Sequence, residues 1–151
     1  MININMLYIC HRGNYNGPCK EENNPTYILK SLSFGYDAEI DVWFIDNEFL
    51  LGHDEPKYNV SEKMLENKHL WCHAKNIEAF EKMLNNKNIH CFYHDKDDCT
   101  LTSKGFIWTF PNEKNLLTSK SVAVLPELVS NWNYLDKCYA VCTDFIDNII
   151  I

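Results

Sequence analysis

Ala38-Glu39-Ile40-Asp41-Val42-Trp43 is the stretch on which the reading of this chain turns. It is apolar enough for a strand, and along a strand successive side chains point to opposite faces. Ile40 and Val42 therefore share one face, and Glu39 and Asp41 share the other. Two carboxylates on one face of a buried strand repel each other and lose hydration, so a metal ion or a cluster of Arg and Lys is expected to compensate them. The plain alternative is a strand whose polar face meets solvent. Ten residues on, the next apolar run, Phe49-Leu50-Leu51, ends at Gly52-His53-Asp54-Glu55-Pro56, which brings a histidine back towards the same region.

Outward from this stretch the chain repeats one pattern. Met6-Leu7-Tyr8-Ile9-Cys10 reads as a buried strand and ends at His11-Arg12-Gly13. Asn24 and Pro25 open a predicted helix over 25–34 that Gly35 closes. Ser61 is an N-cap for a short helix through Asn67. Leu70-Trp71-Cys72 ends at His73-Ala74-Lys75, and Asn76 caps a helix with Ile77, Phe80 and Leu84 on one face. Ile89 to Tyr93 ends at His94-Asp95, Gly105 to Thr109 contains Trp108, Ser121 to Leu125 ends at Pro126-Glu127, and Tyr139 to Cys142 ends at Thr143-Asp144.

Polar residues at the ends of nearly every strand point to an α/β fold of parallel strands. The expectation is a compact, trimmed TIM-like (β/α) barrel, because such barrels gather their chemistry at strand C-termini. A doubly wound sheet also binds ligands there, but usually at one switch point. A barrel ordinarily needs roughly 250 residues. With 151 residues in a single domain (1–151), several helices must be shortened or missing. The bare surfaces this leaves suit a homodimer.

Apolar residues make up 46% of the chain and aromatics 13%, which is globular rather than disordered. A net charge of −7 with no basic run argues against a nucleic-acid partner. The seven cysteines are odd in number and form no CxxC pair, so a reduced, cytoplasmic setting is expected. No apolar stretch approaches the roughly 18 residues of a membrane span.

His11-Arg12-Gly13, Glu22-Asn23, Glu39-Ile40-Asp41-Val42 and His53-Asp54, in this order, resemble the glycerophosphodiester phosphodiesterases. More broadly they resemble the phospholipase C-like phosphodiesterases on a TIM barrel. The closing Thr143-Asp144 is similar to the family's last strand, and the match is densest over the first 54 residues. The resemblance implies a divalent cation, Mg²⁺ or Ca²⁺, on Glu39 and Asp41, with His11 and His53 as general acid and base. It also implies phosphate contacts from Arg12 and Lys75 and a small phosphodiester substrate of lipid metabolism. The family's acidic third ligand is replaced here by His73, and an imidazole would turn preference towards Zn²⁺ or Mn²⁺.

Read without the family, His11, His53 and His73 are also ordinary structural histidines, and Arg12 and Lys75 ordinary surface cations. Tyr93, His94, Trp108 and Glu127 are candidates to line a substrate pocket, with core packing as the alternative for the two aromatics. Two other functions stay open: a barrel that only binds a phosphorylated ligand, and a hydrolase of a phosphomonoester or sugar ester.

Overall fold

The computed structural model describes residues 6–149. Ten strands form one mixed sheet: β1 (Leu7–Cys10), β2 (Asp37–Ile45), β3 (Glu48–Leu51), β4 (Tyr58–Val60), β5 (Leu70–Ala74), β6 (Cys91–Tyr93), β7 (Cys99–Leu101), β8 (Ile107–Thr109), β9 (Ser121–Val124) and β10 (Ala140–Thr143). The helices are α1 (Pro25–Ser33), α2 (Glu62–Leu65), α3 (Ile77–Asn85) and α4 (Ile146–Ile149).

Parallel pairing runs β6-β5-β2-β1-β10-β9-β8. Antiparallel strands are added to this path, with β3 beside β2, β4 beside β3 and β7 beside β8. The sheet curls into an open half-barrel. Between β6 and β8 no ladder forms. There β7 is tied to β6 through Thr100 Oγ1 donating to the Tyr93 carbonyl (2.9 Å) and Ser103 N to that of Cys91 (2.8 Å).

This overturns the expected TIM-like barrel of alternating strands and helices. Helical crossovers of useful length exist only at α1, between β1 and β2, and α3, between β5 and β6. Segments 94–106 and 110–120 are polar, with no helical apolar stripe, so β7 arrives as a hairpin partner instead. Residues 125–139 supply only two 3₁₀ turns, Pro126–Leu128 and Leu135–Lys137. Strand-end chemistry reports which ends of strands gather, but not how many helices intervene.

Local signals explain the elements that do form. Asn24 caps α1 by accepting from Thr26 N (3.0 Å), and Pro25 occupies its first turn. Asp46 and Asn47 both take positive φ (50° and 63°), as a two-residue turn between β2 and β3 requires. In α3 the buried residues are Ala79 and Met83, whereas Ile77 and Leu84 are 61% and 48% exposed. The apolar face expected from Ile77, Phe80 and Leu84 is therefore displaced by about a quarter-turn.

The sheet separates two packing layers. On its outer side Ala38, Ile40 and Val42 pack with Ile28 of α1 and with Ala79 and Met83 of α3. Its concave side is filled by Ile9, Trp71, Phe92, Trp108, Val122 and Val124. A third cluster, around Ala123, Trp132 and Val141, is covered by the 125–139 segment in place of a helix.

Asn76 joins α3 to β2: its Oδ1 accepts from Ala79 N (3.1 Å) and Phe44 N (3.1 Å), and its Nδ2 donates to Phe44 O (3.0 Å). Loss of a cap alone costs about 1 kcal/mol. Asn76→Ala also unpairs two strand groups, so a loss of about 2 kcal/mol in urea unfolding is expected.

Candidate active site

Glu39 and Asp41 lie on the concave face of β2, 2% and 1% exposed. Ile40 and Val42 face the helices. The two carboxylates point towards the C-terminal edge of the parallel strands, where β1 and β5 deliver their end residues.

After Cys10 the chain makes a single 3₁₀ turn, His11–Gly13, with Arg12 in the left-handed region (φ 53°, ψ 23°). A non-glycine residue held there is strained and must be fixed by its surroundings. Arg12 N donates to Glu39 Oε2 (3.0 Å), and its Nη1 donates to Glu22 Oε2 (3.2 Å). Its Nε lies 3.5 Å from Asp41 Oδ2 but is buried without a hydrogen-bond partner. That orphaned donor suits one oxygen of a bound anion.

Asp41 is the most enclosed member. Asn23, itself at φ 61°, donates Nδ2 to Asp41 Oδ2 (2.9 Å) and accepts from Asp41 N (2.8 Å). Lys75 Nζ and His73 Nδ1 stand 3.8 and 3.2 Å from Asp41 Oδ1. Burial alone would raise the Asp41 pKa. The His73 hydrogen bond and charge, with Lys75 and Arg12, outweigh it and bring it down to about 2. Glu39 goes the other way: burial, and then the Asp41 charge, raise it against His11, His73 and Arg12. Glu39 is thus the carboxylate most in need of a further cation.

His73 has a defined tautomer. Its Nε2 is 3.3 Å from the His94 carbonyl, which can only accept, so Nε2 carries the proton. The ring lies flat on Phe92 (centroids 5.1 Å apart, 4° between planes). In the neutral ring the Nδ1 lone pair then faces Asp41 Oδ1 and Glu39 Oε1 (3.8 Å). Three acceptors converging in this way require a proton on Nδ1 or a cation between them. Ligand atoms of Glu39, Asp41 and His73 all lie within 4.8 Å of one another, so a single divalent ion fits them. A metal-bound histidine ordinarily gives its other N–H to a carbonyl, as His73 does.

Two further histidines face this cluster. Nδ1 of His11 is 2.8 Å from Asp144 Oδ1, and Nδ1 of His53 is 2.7 Å from Asp54 Oδ1. Each carboxylate holds the Nδ1 proton and leaves Nε2 free. His53 is placed by the turn after β3: Gly52 N donates to the Asp41 carbonyl (3.1 Å), and Trp43 Nε1 donates to Gly52 O (2.6 Å). Gly52 has φ 152°, and a Cβ there would stand 2.0 Å from the Glu55 carbonyl oxygen, so only glycine fits.

A cavity of about 120 Å³ is lined by His11, Arg12, Glu39, Asp41, His53, His73 and His94, with Trp108, Phe110 and Leu125 on its apolar wall. Of the other residues expected here, Lys75 reaches the site through Asp41. Tyr93 does not line the cavity; it packs on Phe80 at the outer side of the sheet (centroids 6.0 Å apart). Glu127 does not line it either, but its Oε1 accepts from Asp144 N (3.0 Å) and so supports the residue that holds His11.

Asp144 and Asn14 had no role assigned from sequence. Asn14 is fully buried and donates Nδ2 to both Glu22 Oε1 and Asp144 Oδ1 (2.8 Å each), joining the partner of Arg12 to the partner of His11. The signal for Asp144 was its position after the last strand. Asn14, in a loop of small polar residues, gave none.

Burial would lower the His11 pKa, but the Asp144 hydrogen bond and the Glu39 and Asp144 charges raise it above 6.5. Asp144 is depressed below 3.8: its own burial is outweighed by His11, Asn14 and Arg12. The pair therefore stabilises the fold most between those two values. That stability fades upward as pH passes the raised His11 pKa and downward as it passes the depressed Asp144 pKa. Asp144→Asn should accordingly lower Tm more at pH 5.5 than at pH 9. An equal loss at both would show that the pair is not ionised in the fold.

Comparison of the chain with family models, curated proteins and solved structures finds no match in any of them. Among the described residues no helix is long and apolar enough to cross a membrane.

Proposed function

We propose that this chain is a metal-dependent phosphodiesterase acting on a small glycerophosphodiester-like substrate. The observation that carries the reading is one small cavity lined by two carboxylates and four histidines beside an arginine with an unpaired buried Nε–H. The resemblance of His11-Arg12-Gly13, Glu22-Asn23, Glu39 to Val42 and His53-Asp54 to the glycerophosphodiester phosphodiesterases supports it, although the barrel expected with that resemblance is absent.

Glu39, Asp41 and His73 would hold one divalent cation. The carboxylates favour Mg²⁺ or Ca²⁺, and the His73 nitrogen turns preference towards Mn²⁺ or Zn²⁺. Such an ion supplies Lewis-acid polarisation of a non-bridging phosphate oxygen. Arg12 binds the phosphate through its free Nε–H, and Lys75 adds positive charge through Asp41. His11, with Nδ1 locked by Asp144, takes the proton of water or a neighbouring substrate hydroxyl at Nε2. His53, 38% exposed and able to reload from solvent, gives its Nε2 proton to the leaving oxygen. All seven cysteines are free thiols, which suits a reducing compartment such as the cytoplasm.

The test is cleavage of an aryl phosphodiester with Mg²⁺, Ca²⁺, Mn²⁺ and Zn²⁺ supplied in turn. Turnover with at least one ion, abolished by chelator and by the double variant His11→Ala/His53→Ala, is the expected result. A second reading rests on Asp41, whose charge two cationic side chains, Arg12 and Lys75, already face together with the His73 ring. A cluster balanced in this way suits a binder of phosphorylated ligands, which would bind phosphate but turn over nothing with any ion.

A further inference from the structure

A second cavity of about 220 Å³ adjoins the first, and Arg12 and His53 line both. Its walls differ in chemistry from the apolar side of the reaction cavity. Lys20 and Glu22 stand on one wall, and Asp54, Glu55 and Lys57 on the other. With Arg12 these make three cations and three carboxylates.

Both walls are tied to the site itself. Asn23 N donates to the Arg12 carbonyl (3.0 Å), which anchors the 19–23 turn. Lys57 N donates to Leu51 O (2.9 Å) and Gly52 N to Asp41 O (3.1 Å), which anchor the 52–57 turn. The annex is therefore built by the two turns that also place Glu22 and His53.

Building on the phosphodiesterase reading, we propose that the site takes an unsymmetrical phosphodiester. Its small polar alcohol, a polyol or amino alcohol, lies in this annex, and its more apolar alcohol lies against Trp108, Phe110 and Leu125. The ion pairs of the annex, Arg12–Glu22, His53–Asp54 and Lys57–Glu55, offer both donors and acceptors to hydroxyl or ammonium groups, whereas an alkyl chain there would displace the water that solvates them. The polar alcohol is also the one that leaves. His53 is the histidine that borders both cavities, whereas His11 borders only the reaction cavity. The oxygen of water, deprotonated by His11, bonds to phosphorus as the bond from phosphorus to the annex oxygen breaks. His53 protonates that oxygen, releasing the polar alcohol and leaving the apolar alcohol as its phosphate monoester.

The test is the product formed from 2,3-dihydroxypropyl hexyl phosphate by the full chain supplied with each of the four ions, read by phosphorus NMR. Hexyl phosphate and glycerol are expected. The double variant Lys20→Ala/Lys57→Ala, outside the reacting groups, should raise KM for this diester about tenfold, the worth of one charge-assisted contact. It should leave that for hexyl methyl phosphate unchanged. Glycerol phosphate as the main product, or equal effects of the double variant on both diesters, overturns the assignment of the arms while leaving phosphodiesterase activity standing. No turnover of either diester with any ion overturns the phosphodiesterase reading, and the arm assignment with it.

Discussion

His11→Ala lowers kcat/KM for an aryl phosphodiester by about 100- to 10,000-fold, the range for removing a positioned general base. The expectation follows from three features of this ring. Asp144 fixes the tautomer with Nδ1 protonated. The same carboxylate, with Glu39, raises the basicity of the ring despite its burial. Its Nε2 is left to face the cavity that holds Glu39, Asp41 and Arg12. His53→Ala should behave differently with leaving group. A nitrophenolate departs without a proton, so the loss there should be small, whereas an alkyl diester should lose activity as severely as with His11→Ala. Equal, mild losses for both variants on both substrates would show that neither ring transfers a proton in the reaction.

Asp41→Ala costs about 3–5 kcal/mol of stability, measured by urea unfolding in the presence of chelator. The removed carboxylate is 1% exposed and faces Arg12, His73 and Lys75. Without it Arg12 and Lys75 lose the buried counter-charge they share, and Asn23 loses the acceptor for its Nδ2. Glu39→Gln, only two residues away, should cost far less. Folding already pushes Glu39 towards its neutral form, so removing its charge relieves burial and the repulsion from Asp41. With a divalent ion present both losses should grow by the same amount, because the ion stabilises the native protein only when both carboxylates can hold it. Equal destabilisation by both variants in chelator would contradict the division of charge described here.

Much of the site was legible because strand alternation is a local rule. Glu39 and Asp41 had to share a face of β2, His11 follows β1 directly, and His73 stands one residue before the end of β5. Pairing between strands is not local, and the same rule could not show that β3, β4 and β7 join antiparallel or that β8, β9 and β10 follow one another without helices. Tyr93 illustrates the limit at a single residue. It ends a strand beside the cavity, but alternation from the inward Phe92 turns its ring out to Phe80. Asn14 illustrates another: its importance lies in two carboxylates, Glu22 and Asp144, separated from each other by most of the chain.

Manganese binding followed by pulsed electron paramagnetic resonance tests the metal centre most directly. One Mn²⁺ per chain, coupled to a single imidazole nitrogen, is the expected result. That coupling disappears in His73→Ala, and binding is lost in Glu39→Gln/Asp41→Asn. Absence of stoichiometric binding, or a nitrogen coupling unchanged by His73→Ala, would contradict it.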